Sequence, residues 1–136
     1  MPSIRLDCPK TNTVFGEIFY PGLIVQVLLT SGYQPFEFIL DSGADMTMVP
    51  GFLANLAGVQ LPNVPDTSVV GISSRLMPAF KGKLKMRLKT EVFEVRCLFT
   101  ESNRTPLLLG RLDFFSIFDV GFDGNDCKII LTRRHP

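Results

Sequence analysis

The sequence predicts a small all-β domain, and three observations support this fold class. The chain of 136 residues is long enough for one buried core, and 46% of its residues are hydrophobic while 20% are charged, as in folded globular proteins. Its 11 glycines and 10 prolines are spread along the chain, which favours many turns between short strands. Several stretches alternate between apolar and polar residues, the pattern of strands with one buried face.

The N-terminal half predicts strands followed by one short helix. Three apolar runs are separated by glycine-containing turns, and they cover residues 13–20 (TVFGEIFY), 23–30 (LIVQVLLT) and 36–40 (FEFIL). A short helix is expected from Phe52 to Ala57, because Gly58 is a typical helix stop signal.

The C-terminal half predicts a hairpin and then three short elements. Residues 82–89 (GKLKMRLK) alternate strictly, residues 92–99 (VFEVRCLF) follow, and a turn near Thr90 would join them. A short strand, a short helix and a last strand are expected at residues 107–110 (LLLG), 111–118 (RLDFFSIF) and 128–131 (KIIL). About eight strands and two helices are typical of a small closed β-barrel.

Charge and hydropathy argue against nucleic-acid and membrane partners. The net charge of +1 gives no strong overall field. The basic residues at positions 83, 85, 87 and 89 alternate with apolar ones and have no aromatic residues between them, so a solvated strand face is favoured over a nucleic-acid site. No apolar stretch is long enough to span a bilayer, and the first ten residues lack the apolar region of a secretory signal. A cytoplasmic location is therefore expected.

The inventory of reactive residues excludes several kinds of chemistry. The one histidine, His135, is next to the C-terminus, where a frayed chain end makes a catalytic base or metal ligand improbable. The three cysteines are widely spaced and predict neither a disulfide framework nor a zinc site. The acids between Asp119 and Asp126 do not follow the order of a calcium loop. No metal and no cofactor are expected, which leaves carboxylate chemistry.

Three acids have strongly apolar neighbours in the sequence: Asp41, Asp45 and Asp113. A carboxylate in an apolar environment needs hydrogen-bond partners to be tolerated. Ser42 and the backbone amides near Gly43 are candidates for Asp41. The alternative is an ordinary surface turn, in which Asp before Ser-Gly is common.

Three segments together resemble the retropepsin-like aspartic proteases, the single-domain type that includes the retroviral enzymes. Residues 40–50 (LDSGADMTMVP) are similar to the active-site segment of that family, and residues 107–115 (LLLGRLDFF) to its later signature. Between them, residues 69–74 (VVGISS) occupy the place of the flap. The resemblance runs over residues 14–131 of a single domain, 1–136, and implies the closed barrel of the acid proteases, assembled as a two-fold homodimer.

The resemblance also implies roles for individual residues. Asp41 would be the catalytic acid, with one copy contributed by each subunit. Ser42 would brace the paired loops across the two-fold axis, and Gly43 would offer its backbone to the substrate. Asp45 would hold the substrate main chain and form an intrachain ion pair with Arg111.

Further residues of the resemblance would support or line the site. Ala44 and Gly110 complete the two motifs as structural support. Val70, Gly71 and Ile72 would form the flap, for which an ordinary hairpin is the alternative. Candidate subsite walls, with core packing as the alternative, are Met46, Met48, Pro106 and Leu108. The N-terminal stretch MPSIRLDCPK could enter a sheet between subunits.

The expected activity is that of an aspartic endopeptidase acting on a peptide or protein substrate. A pair of Asp41 carboxylates would activate a water molecule, with no metal and no covalent intermediate. The alternative is a catalytically silent dimer of the same fold that binds peptide segments, because a fold alone does not fix a function.

Overall fold

A computed structural model describes residues 3–70 and 75–134 of the chain, and most of its regular structure is β-strand. Its strands are β1 (Ser3–Asp7), β2 (Lys10–Thr13), β3 (Gly16–Phe19), β4 (Gly22–Leu29), β5 (Gly32–Leu40), β6 (Thr47–Pro50), β7 (Thr67–Val70), β8 (Leu76–Leu88), β9 (Glu91–Thr100), β10 (Leu108–Leu109), β11 (Phe118–Asp123) and β12 (Lys128–Arg133). The helical elements are α1 (Phe52–Ala57) and a short C-terminal helical turn, Arg111–Phe115.

The largest sheet closes on itself around the hydrophobic core. Its seven strands run in the order β4-β5-β10-β6-β9-β8-β7, and β4 also pairs with β8. The predicted alternation is confirmed, since Leu84, Met86 and Leu88 of β8 and Phe93 and Val95 of β9 are all buried. The β8–β9 hairpin turns at Lys89 and Thr90, as predicted.

Strand β10 lies between β5 and β6 in this sheet. It pairs in parallel with β5, through Leu108↔Ile39 and Leu109↔Leu40, and antiparallel with β6, through Leu108↔Met48. Because β10 lies between these two strands, the segment that follows it is placed directly against the loop that connects β5 to β6.

The chain termini form a second sheet, in the order β1-β12-β11. The register of β1 and β12 runs from Ser3↔Thr132 to Asp7↔Lys128. Edge-to-face contacts of Phe93 with Phe118, at 5.1 Å between ring centroids, connect this sheet to the main core. Within the N-terminal stretch that could enter a sheet between subunits, Ser3–Asp7 therefore pair within their own chain.

Two sequence predictions were wrong in their boundaries. Residues 13–20 are not one strand, because Thr13 accepts a hydrogen bond from the Phe15 N–H and Gly16 adopts a φ of +108°, which makes a hairpin of β2 and β3. Residues 111–118 are helical only in part, because Asp113 has a φ of 71° and β11 begins at Phe118. The described residues contain twelve strands where eight were expected.

Helices are a minor part of the fold. Helix α1 has the predicted bounds and ends at Gly58, which has a left-handed φ of 74° and donates its N–H to the Asn55 carbonyl. Over residues 3–70 and 75–134, no helix has both the length and the apolar character needed to cross a membrane.

Candidate active site

Asp41 begins the tight turn that follows β5. Its own N–H donates to the Leu109 carbonyl at 3.0 Å, and its carbonyl accepts from the Ala44 N–H at 3.1 Å. The Gly43 N–H donates to Asp41 Oδ1 at 2.9 Å, which is the geometry of an Asx turn. This network fixes the direction of the carboxylate, which is half-buried. Within the described ranges, its second oxygen has no hydrogen-bond partner.

Space beside Gly43 is tight at this turn. A Cβ added to Gly43 would lie 3.2 Å from Asp41 Oδ1, so a larger residue would crowd the carboxylate. Gly43 and Ser42 are both exposed, and the face of the turn that they form is open to solvent.

A second segment of the chain, which begins at Gly110, packs against the turn. A Cβ at Gly110 would overlap the backbone carbonyl of Met46, so only glycine permits this approach. The Gly110 N–H donates to the hydroxyl of the fully buried Thr47 at 3.2 Å. The Arg111 N–H then donates to the Ala44 carbonyl at 2.9 Å. The two sequence motifs, about 70 residues apart, are therefore joined by backbone hydrogen bonds.

The predicted ion pair between Asp45 and Arg111 is present. The Leu112 N–H also donates to the Asp45 carbonyl at 2.8 Å. The side chain of Asp45 is 83% exposed, so its expected apolar environment is not observed. Because the pair is in solvent, it orients the two side chains more than it stabilises the fold.

A cleft of about 410 Å³ lies beside the turn, and eight residues line it: Ala44, Asp45, Met46, Met48, Thr67, Val69, Lys81 and Leu98. Three of the predicted substrate-binding residues, Asp45, Met46 and Met48, are therefore brought together. Pro106 and Leu108 do not line this cleft; Leu108 instead pairs with Met48 in the sheet.

Strand β7 forms one wall of the cleft through Thr67 and Val69. Val70, at the end of this strand, is 65% exposed. Gly71 and Ile72, predicted to belong to a flap, lie outside the described residues. Alternation in the sequence could have indicated Thr67 and Val69, whereas no local signal marked Lys81 or Leu98.

Asp113, the third acid of the sequence analysis, belongs to a different arrangement. Its carboxylate accepts hydrogen bonds from the Arg96 N–H at 2.7 Å and from the Arg96 guanidinium at 3.0 and 2.9 Å. These hydrogen bonds and the charge of Arg96 hold the pKa of Asp113 below its usual value. The carboxylate joins the helical turn to β9 and does not reach the cleft.

The described part of the chain shows no group of three or more His, Cys, Asp or Glu side chains placed to hold a metal ion.

Solved structures of two proteases have a similar fold. A retropepsin-like aspartic protease from Rickettsia conorii aligns with a TM-score of 0.63 and 15% identity, over 96% of this chain and 89% of that one. The EIAV protease, in complex with the inhibitor HBY-793, aligns with a TM-score of 0.52 and 21% identity, over 68% of this chain and 82% of that one. No protein-family profile and no curated protein sequence matches the chain. The chain therefore has the retropepsin-like fold that its motifs predicted.

Proposed function

We propose that this chain is one half of a homodimeric aspartic endopeptidase in which Asp41 is the catalytic residue. The observation that carries this proposal is the Asp41 carboxylate itself, held by the Gly43 N–H through one oxygen. Its turn is exposed at Ser42 and Gly43, so a second copy of the turn can approach it. The retropepsin-like fold supports the same assignment.

The chemistry follows from pairing two such turns. Two carboxylates about 3 Å apart share one proton, a rule for which aspartic proteases are the standard example. The ionised member of the pair removes a proton from a bound water molecule, which attacks the peptide carbonyl. The protonated member donates its proton toward the carbonyl oxygen. Ser42, next to Asp41 in each turn, braces the two loops across the axis.

The cleft is the proposed place of the substrate chain. A peptide in extended conformation would lie along β7, an edge strand within the described residues, and add main-chain hydrogen bonds to it. Asp45, held by Arg111, would contact the main chain of the peptide. Met46 and Met48 would form apolar walls for alternate side chains. Val70, Gly71 and Ile72 are proposed to cover the bound peptide and exclude water.

Cleavage of a mixed peptide library tests this function. We expect endoproteolytic products from the wild type under mildly acidic conditions, and inhibition by a statine peptide. Asp41→Asn should lower the rate by about 10²–10⁴-fold, the usual contribution of a general acid–base group. Asp126→Asn, a matched change in an exposed turn, should keep full activity. Peptide binding without cleavage by the wild type would favour the silent dimer instead.

Mixing of subunits tests whether the site is shared. Inactive Asp41→Asn chains in excess should lower the activity of wild-type chains, because mixed dimers contain only one carboxylate. Asp126→Asn chains in the same excess should not lower it. Wild-type activity that is unchanged by the Asp41→Asn chains would show that a single chain carries a complete site.

A further inference from the structure

Two cysteines face each other where β1 ends and β12 begins. The antiparallel register that reaches Asp7↔Lys128 places Cys8 opposite Cys127, and the Cys8 N–H donates to the Cys127 carbonyl at 2.9 Å. Hydrogen-bonded antiparallel pairs have Cα atoms about 5.5 Å apart. Disulfides span Cα distances of roughly 4.4–6.8 Å, so this position permits a covalent link.

The backbone of Cys127 is a second, independent observation. Cys127 has a φ of 51°, one of three positive values outside glycine in the described residues. It lies at the end of the turn between β11 and β12, at a position where glycine adopts such a φ without steric cost. A cysteine in this conformation costs roughly 1–2 kcal/mol relative to glycine. Backbone strain of this kind clusters at functional positions, which makes the side chain of Cys127 a candidate for such a role.

The surroundings of Cys8 permit access from solvent. Cys8 is half-buried and lines a surface depression of about 170 Å³ together with Asp7, Gly22 and Glu37. Partial burial, and then the neighbouring Cys127 side chain, raises the pKa of Cys8 to about 11. Oxidation is therefore slow at neutral pH and faster in mildly alkaline solution, because the thiolate is the reacting form.

We propose that Cys8 and Cys127 are an oxidisable pair that forms an intrachain disulfide with a small-molecule disulfide, such as oxidised glutathione, as the oxidant. One thiolate attacks the glutathione disulfide, forms a mixed disulfide and releases the first glutathione. The second thiol loses its proton and attacks the protein sulfur of that mixed disulfide, releasing the second glutathione. The protein loses two hydrogen atoms, and the two electrons reduce the oxidant.

The disulfide would connect the end of β1 to the residue that precedes β12, its neighbour in the terminal sheet. Both residues are free thiols in the structure, and in a reducing cytoplasm they are expected to remain so. Under oxidising conditions the disulfide closes a loop of nearly the whole chain, the case in which loop closure constrains the unfolded state most.

Oxidation of the full chain tests the pair directly. After treatment with oxidised glutathione, we expect one thiol to remain titratable, the mass to fall by two hydrogen atoms, and digestion to give a linked peptide of Cys8 and Cys127. The melting temperature should rise by about 5–15 °C and return to its starting value with a reductant. The remaining thiol should be Cys97, which is buried and has a pKa raised to about 12 by that burial.

Two variants separate the disulfide from the local backbone. Cys127→Gly should melt a few degrees higher than the wild type when reduced, because glycine accepts the positive φ, and should gain nothing on oxidation. The melting temperature of Cys8→Ser should not rise on oxidation. In the reduced state it should also lack the increase expected for Cys127→Gly. Three titratable thiols after treatment, stable glutathione adducts on Cys8, or oxidation that lowers the melting temperature would each overturn the assignment.

Discussion

Asp41 follows β5 directly and Asp113 lies shortly after β10, yet the two carboxylates have very different partners. Asp113 is partnered on both oxygens, by the backbone and by the guanidinium of Arg96. Asp41 receives one hydrogen bond, from the Gly43 N–H two residues along its own turn. The Asp113 carboxylate therefore links the helical turn to β9 through both of its oxygens. The Asp41 carboxylate is oriented through one oxygen, and its other oxygen has no hydrogen-bond partner within the described residues.

This difference separates the structural acid Asp113 from the proposed catalytic acid Asp41 better than burial does. The side chain of Asp113 is 19% exposed and Asp41 is also half-buried, so their solvent accessibility alone does not distinguish them. What distinguishes them is the number of fixed donors, because a carboxylate saturated with donors stays ionised and unreactive.

The largest effect is expected on catalysis. Asp41→Asn should lower peptide cleavage by about 10²–10⁴-fold, whereas Asp113→Asn should retain most of the activity per folded molecule. Initial rates should be compared at equal concentrations of folded protein, measured by circular dichroism. Equal losses in both variants would mean that the two acids do not have separate roles.

The opposite order is expected for stability. Asp113→Asn removes the charge that Arg96 binds and should lower the free energy of unfolding by about 1–2 kcal/mol. Asp41→Asn should change it by less than about 0.5 kcal/mol, since the amide oxygen can still accept from Gly43. Urea unfolding followed by fluorescence or circular dichroism measures both values. An Asp41→Asn variant that is less stable than Asp113→Asn would contradict the proposed division.

The pH dependence of the same variants sharpens the comparison. The folded-state pKa of Asp113 is lowered from 3.8, first by its hydrogen bond to Arg96. Its contribution to stability is therefore fully present above pH 3.8 and is lost as the pH falls through the lowered pKa. The stability gap between wild type and Asp113→Asn should be constant from neutral pH to about pH 5 and shrink in more acidic solution. A gap that widened with acid would have the wrong sign for this explanation.

The smallest effect is expected at the far wall of the cleft. Lys81 lines the cleft, whereas Lys83, two residues along the same strand, pairs with Glu94. Lys81→Met should lower cleavage of peptides with an acidic side chain in this subsite by a few-fold relative to apolar ones, since one exposed charge contributes about 1 kcal/mol or less. Lys83→Met should leave the preference unchanged. Kinetics on paired Glu and Leu peptides would measure the ratio.

Sequence patterns predicted those parts of the structure that local rules determine. Helix α1 was correct because Gly58 marks its end, and the β8–β9 hairpin because Leu84, Met86 and Leu88 alternate with charged residues. The Asp45–Arg111 pair was predicted from the resemblance alone. Strand β11 was missed because Asp119, Gly121 and Asp123 give it the composition of a turn. The helix expected at residues 111–118 is broken by the positive φ of Asp113, which the local sequence does not indicate.

Other features depend on distant contacts, and local patterns could not indicate them. The Arg96–Asp113 link joins residues 17 apart through β9 and the helical turn. Lys81 reaches the cleft only because β7 and β8 pair beside β6 and β9. Cys8 and Cys127 lie opposite each other only because β1 pairs with β12.

The position of β10 has a consequence for the order in which the protein is made. The Asp41 N–H donates to the Leu109 carbonyl, and Gly110 and Arg111 pack against the same turn. These three residues leave the ribosome about 70 residues after Asp41. A nascent chain that ends before β10 can form the β4–β5 hairpin, but it lacks the backbone groups that hold the Asp41 turn. The turn around Asp41 therefore completes its hydrogen bonds only after Leu109 and Arg111 have been synthesised.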